Sequence, residues 1–206
     1  NMVKDKEVPP FNVYIDGMVW DVTAIHTAYP EYLNHIIRKQ IFHKDENPFL
    51  LDVFKRVGSQ KERTQVIEEE GACLILATSG MLVGGPSMEY LKNLASNPKN
   101  SLVFSCYQGE GSLGRRIQRG DKEIFFKNGA KQEACEIKMQ VHKLEITNHS
   151  DRRQLMNFVY KCEPRPKKVI VNHGENSRCL DLASSLHKQY RIETSAPRDL
   201  EAVRIK

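Results

Sequence analysis

The chain has 206 residues, 40% hydrophobic and 28% charged, values ordinary for a folded globular protein and too apolar for disorder as its main state. No apolar run approaches the roughly 18–20 residues of a membrane helix, and the polar start Asn1–Lys6 has no signal-peptide core. Five cysteines without a CxxC pair exclude a local zinc knuckle, argue against a disulfide framework and fit a reducing cytoplasm. The 31 Lys+Arg against 26 Asp+Glu give a net charge of +5, compatible with a polyanionic partner but mild on its own. Acidic groups collect between residues 44 and 70, including Glu68-Glu69-Glu70. Basic groups gather at Arg115-Arg116-Arg119, Arg152-Arg153 and Arg165-Lys167-Lys168. Each cluster taken alone reads equally as a solvated face.

In chain order, a transition from apolar strand to small or glycine-containing loop to helix recurs. Asn12–Ile15 runs into Asp16-Gly17-Met18, and a helical pattern begins after Asp21, a suitable N-cap. Ala72–Thr78 runs into Ser79-Gly80-Met81-Leu82-Val83-Gly84-Gly85, and Pro86 suits the first turn of a helix reaching about Ala95. Ser101–Tyr107 leads through Gln108–Leu113 into a short helix from about Gly114. Lys168–Asn172 precedes His173-Gly174 and a helix over Asn176–Tyr190, with Cys179, Leu182, Ala183 and Leu186 facing inward. Apolar strands alternating with helices predict an α/β protein with a buried, mostly parallel sheet. Ligands of such sheets bind at the carboxyl ends of the strands, where these loops lie.

One segment departs from the pattern. Lys122–Phe126 is followed by Asn128-Gly129, a hairpin signal. Farther on, Ile137, Met139 and Val141 alternate with Lys138, Gln140 and His142, predicting a half-exposed antiparallel strand. A domain boundary is placed near 130–136. Lys161–Lys167, with Pro164 and Pro166, reads as a helix-to-strand connection.

Three loops carry residues able to do chemistry. Gln108–Arg116 contains Gly109, Gly111 and Gly114 in a G-x-G-x-x-G pattern followed by Arg115 and Arg116. Small residues let backbone N–H groups approach a phosphate, but the same glycines make a tight turn. A phosphate-backbone contact, a dinucleotide site and a plain turn all stay open. His149 lies at the entrance of the amphipathic run Leu155, Met156, Phe158, Val159, with Ser150 or Asp151 as cap. There an imidazole could meet a phosphate or move a proton, or simply bond a neighbour. His173 directly follows a strand, a position from which histidine can ligate metal. One histidine cannot hold zinc, which takes three or four protein ligands, and no HxH or HxxxH pair completes a set. His26, His35, His43, His142 and His187 are scattered.

Taken together, four segments in register resemble the beta-CASP branch of the metallo-beta-lactamase superfamily, in particular archaeal homologues of the cleavage and polyadenylation specificity factor ribonuclease. They are Thr78-Ser79-Gly80-Met81 with Gly84-Gly85, Tyr107–Ile117, His149-Ser150-Asp151 and Asn172-His173-Gly174-Glu175. Tyr14–Met18 and Ala24–Pro30 also look archaeal in type, and the resemblance covers essentially the whole chain. It implies a Rossmann-like, mostly parallel beta-CASP sheet with flanking helices over 1–135, N-terminally incomplete. Over 136–206 it implies the C-terminal α/β part of a metallo-beta-lactamase domain. It further implies RNA cleavage, internal or from an end, at two zinc ions held between the domains. His149 matches the motif B histidine that faces the scissile phosphate and assists the leaving group, and His173 matches the motif C zinc ligand. The Ser79-Gly80 and Ser112–Arg115 loops, with Gly114 and Arg116, match the edge lining the cleft for single-stranded RNA. The ending Ala196–Lys206 resembles a segment that packs across a homodimer.

The chain also departs from that pattern. Ile146-Thr147-Asn148 stands where the family places a Phe-Ser or glycine-containing turn. The His-x-His-x-Asp-His zinc motif, the motif A acidic residue and the N-terminal KH domains have no match. The expectation is a C-terminal portion of a zinc-dependent ribonuclease of RNA 3′-end processing, transcription termination or decay, without a zinc centre or activity of its own. Two other classes stay open: a stand-alone, non-catalytic RNA-binding and dimerisation module, and an unrelated nucleotide-binding enzyme using the glycine loop.

Overall fold

The computed structural model describes residues 6–128, 131–144, 146 and 149–205. It is an α/β protein of two compact units divided between Thr147 and Asn148. The first unit opens with β1 (Asn12–Asp16) and α1 (Met18–Ala28), then α2 (His35–Lys44), β2 (Phe54–Val57), α3 (Gln60–Glu68), β3 (Cys73–Ala77) and α4 (Pro86–Leu94). There follow β4 (Ser101–Phe104), α5 (Leu113–Gln118), β5 (Glu123–Asn128), β6 (Lys131–Glu136) and β7 (Gln140–Lys143). The second unit holds α6 (Arg152–Lys161), β8 (Lys168–Ile170), α7 (Asn176–Tyr190) and β9 (Glu193–Ser195).

The pairing is mostly parallel. Strands run β2-β1-β3 in one sheet, with Val13 opposite Phe54 and Leu74, while β4 pairs with β7 and β8 with β9, all parallel. Only β5 and β6, joined across 129–130, pair antiparallel among the described strands. The Gly129 half of the hairpin signal lies outside the described residues.

Local chemistry explains the elements that the sequence anticipated. Pro86 sits in the first turn of α4, which ends at the cap Ala95, because a missing N–H costs nothing there. Asp151 caps α6 with a reciprocal bond pair to Gln154. Cys179, Ala183 and Leu186 form the buried stripe of α7, and Leu186 meets Met156, Val159 and Ile192 in the second unit's core. In the first unit Leu91, Ala95, Phe104, Ile117, Ile124, Ile137 and Met139 make the main core.

Three expectations are corrected. α1 begins at Met18, with Gly17 as cap at φ 76, so Asp21 lies in its first turn rather than before it. The alternation over 137–142 does separate buried Ile137 and Met139 from exposed Lys138, Gln140 and His142, yet the strand there, β7, is parallel to β4. Alternation specifies a face, not a partner or a direction. The sheet is not buried throughout. Ile75 and Ala77 pack on Val57, Val66 and Tyr90, whereas Leu74 and Leu76 of the same strand are 43% and 37% exposed.

Candidate functional site

The carboxyl ends of β1, β3 and β4 lead into the loops that carry the predicted contacts, and buried polar groups tie this region together. Asp16, the last residue of β1, is 1% exposed. Arg63 from α3 grips its carboxylate with both arms, Nε to Oδ2 at 2.8 Å and Nη2 to Oδ1 at 3.0 Å. The Tyr90 hydroxyl from α4 donates to Oδ2 at 2.9 Å, and Arg63 also reaches Glu89 at 3.2 Å. The hydrogen bond to Asp16 holds the Arg63 guanidinium well above its ordinary value against the opposing effect of burial. Burial first, then the bond to Asp16, pushes the Tyr90 phenol up. A carboxylate so fully used is an anchor: it fixes α3 and α4 against the end of β1.

The loop after β3 is folded on itself around Ser79. Its Oγ accepts from the Val83 N–H at 3.1 Å, its N–H donates to the Gly84 carbonyl at 3.2 Å, and its carbonyl accepts from Ser87 Oγ at 2.7 Å. Two glycines are required by close approach. A Cβ on Gly80 would stand 2.6 Å from Cys106 Sγ, and one on Gly114 would stand 1.8 Å from Gln108 Oε1. Between them lies Gln108, 1% exposed, whose Nε2 donates to the carbonyls of Gly80 at 2.9 Å and Cys106 at 3.3 Å. The Ser79-Gly80 loop and the glycine-rich loop, 28 residues apart in the chain, are therefore one assembly.

Ser112 is the N-cap of α5, its Oγ accepting from the Arg115 N–H at 3.2 Å. The three basic side chains of the cluster differ. Arg116 pairs with half-buried Asp121 at 2.8 Å, and exposed Arg119 with exposed Glu110 at 3.0 Å. Arg115 has no ion-pair partner among the described residues; with Gln118, Arg119, Val141, His142 and Lys143 it lines a cleft of about 190 Å³.

The histidines lie in the second unit. His149 is exposed and stands two residues ahead of the Asp151 cap, where Gln154 N–H donates to Asp151 Oδ1 at 2.7 Å and Asp151 N–H donates to Gln154 Oε1 at 2.8 Å. Thr147 and Asn148, part of the departure from the family turn, lie outside the described residues. His173 is exposed, follows β8, and takes the left-handed conformation at φ 60. Among the described residues no three His, Cys, Asp or Glu side chains converge on a point that could hold a metal ion. Zinc requires three or four such donors, so the residues present do not fit a complete zinc centre, and His173 stands as a lone candidate ligand.

Sequence reasoning missed Asp16, Arg63, Tyr90 and Gln108. Asp16 and Gln108 did leave a signal, a polar residue between an apolar strand and a glycine loop. Their partners did not, because those contacts span 47 and 74 residues for Asp16 and 28 for Gln108. No described helix is long and apolar enough to cross a membrane.

Comparison with known proteins gives concordant matches. The Beta-Casp domain matches residues 1–117, and the Zn-dependent metallo-hydrolase RNA specificity domain matches residues 135–197. The chain is similar to proteins named Transcription termination factor FttA. It is 51% identical over 202 residues to that of Thermococcus kodakarensis, covering 97% of this chain and 31% of the relative. The relative from Methanocaldococcus jannaschii is 51% identical over 197 residues, covering 94% and 31%. That from Methanothermobacter thermautotrophicus is 52% identical over 201 residues, covering 97% and 31%. The chain thus spans about 31% of the length of these relatives.

Proposed function

Because the chain belongs to the Beta-Casp family, we propose that it is the RNA-binding portion of a metal-dependent ribonuclease acting in transcription termination, RNA 3′-end processing or decay. The observation that supports this reading is the Gln108 tie: its amide donates to the Gly80 carbonyl and packs against Gly114, so the two small-residue loops lie together, with Arg115 and Arg116 following Gly114 in α5. Small residues admit a sugar-phosphate backbone closely, and arginines neutralise it. Residues 1–135 form the beta-CASP part and 136–206 the C-terminal part of the metallo-hydrolase domain.

In the larger protein His149 faces the scissile phosphate and manages the leaving-group proton, and His173 is one ligand of a zinc site whose other ligands are not among the described residues. The chain by itself has no nuclease activity. The segment 196–206 supports self-association as a homodimer, and the setting is cytoplasmic. The relatives' name, Transcription termination factor, favours termination among the RNA processes, through internal cleavage or trimming from an end.

The test is single-stranded RNA binding at low salt. Affinity falls steeply as salt rises, and Arg115→Ala with Arg116→Ala weakens binding about tenfold or more. Unchanged binding in the double variant would sink the reading.

A further inference from the structure

One end of the second unit gathers aromatic rings among cations. Tyr160 stands in the last turn of α6, Tyr190 ends α7, and Arg165 lies in the connection from α6 to β8. The Tyr160 and Tyr190 rings stack, with centroids 5.5 Å apart and planes inclined by 35°. The Arg165 guanidinium carbon lies 5.9 Å from the centre of the Tyr190 ring, and its Nη2 donates to the Tyr190 carbonyl at 2.8 Å. Tyr190 is half-buried and packs on the core of Met156, Val159, Leu186 and Ile192. The group is therefore rooted in the fold.

Tyr160 is its outer ring, 62% exposed. Single exposed apolar residues are ordinary, but a ring held by a second ring has little side-chain freedom left to lose on binding. It offers a preorganised flat surface to a third planar group. The charge around it is one-sided. Residues 160–167 and 187–191 hold exposed Lys161, Arg165, Lys167, Lys188 and Arg191 against the single acid Glu163. Helix C-termini call for cations, and these suit the ends of α6 and α7. That need calls for no ring, and Tyr160 buries little where it stands.

The partner that fits carries flat faces and negative charges in alternation. Single-stranded RNA does so, because its unpaired bases stack on aromatic side chains while its phosphates meet cations. A duplex hides its base faces, and an anionic lipid surface brings no planar group to the ring. We propose that Tyr160, backed by Tyr190, stacks a base of single-stranded RNA, with Lys161 and Arg165 on the flanking phosphates. The proposal rests on the RNA-binding reading above and gives the second unit a contact of its own, made by residues which that reading does not use.

The experiment measures binding of an oligoadenylate of about 16 nucleotides, and of an abasic strand of the same length, across a salt series. The wild-type chain is compared with Tyr160→Ala, Tyr160→Phe and Arg165→Gln, and far-UV circular dichroism and melting confirm the fold of each variant. Tyr160→Ala weakens oligoadenylate binding roughly tenfold with the salt slope unchanged, whereas Tyr160→Phe, which keeps the ring, binds as the wild type does. The abasic strand binds wild type and Tyr160→Ala equally. Arg165→Gln lowers the slope by about 0.7, the value for one phosphate contact on a single strand. Wild-type affinity in Tyr160→Ala overturns the stacking site, as does an equal loss in Tyr160→Phe. If Tyr160→Ala keeps its RNA affinity but loses self-association in sedimentation, or binding to phosphatidylserine vesicles, the patch belongs to a second copy or to a lipid surface instead. The double variant Arg115→Ala with Arg116→Ala separates the two readings. Unchanged binding there, with a loss in Tyr160→Ala, sinks the first unit's edge and keeps the stacking site; the reverse sinks the stacking site alone. Absence of wild-type RNA binding overturns both.

Discussion

The candidate contacts of the first unit and the candidate histidines of the second are held in different ways. In the first, the groups behind the loops are buried and polar: Asp16 under Arg63 and Tyr90, and Gln108 between Gly80 and Gly114. In the second, His149 and His173 stand on exposed loops whose nearest fixed points are a helix cap at Asp151 and the approach of Gly174 to Cys179 Sγ. The first arrangement draws its order from contacts distant in sequence and desolvated, so each is costly to break. The second draws on local hydrogen bonds at the surface, individually weaker. The edge of the first unit is stiffened from within, while His149 and His173 stand on exposed surface turns.

That contrast is broken most directly at Asp16. Asp16→Ala leaves the Arg63 guanidinium without its buried partner and lowers the stability of the first unit by about 3–5 kcal/mol, read as a shift in the urea midpoint. A loss below about 1 kcal/mol would mean that water replaces the carboxylate easily. Gly114→Ala is the next strongest. Its Cβ would lie 1.8 Å from Gln108 Oε1 and 3.1 Å from Phe104 Cε1, so overpacking of about 1–3 kcal/mol outweighs the ~1 kcal/mol that alanine adds to a helix. Hydrogen exchange over residues 79–85 rises with it as the Gly80 bond is lost. A stabilised variant would show that Gln108 swings aside freely. The smallest effect belongs to the second unit: Asp151→Ala removes the capping box of α6 and costs about 1 kcal/mol, confined in thermal unfolding to that unit. A loss as large as that at Asp16 would erase the distinction.

What could be read in the sequence follows the same line. The helix over Asn176–Tyr190, the cap of α6 and Pro86 at the start of α4 are decided by neighbours within one turn; the helix and Pro86 stand where the pattern put them, and Asp151 is the cap of the two candidates, Ser150 and Asp151. The loops after β3 and β4 were legible as a glycine run behind an apolar strand. Their union through Gln108 was not, since an amide carries no mark of which distant carbonyl it will meet. β7 shows the limit most clearly. Its alternation revealed which residues face inward, but pairing with β4, set about 40 residues earlier, is decided by tertiary packing. The exposed Leu74 and Leu76 mark the same limit, because an apolar run records composition rather than coverage.

The bond from Gln108 to the Gly80 carbonyl has a thermodynamic consequence for any ligand at this edge. Two loops that moved independently would each lose conformational freedom on capture of a flexible strand. Joined by a buried amide, they lose it when the protein folds rather than when a ligand arrives, and the association step carries a smaller entropy loss. The energies of contacts on the two loops are coupled for the same reason: altering one changes what the other contributes.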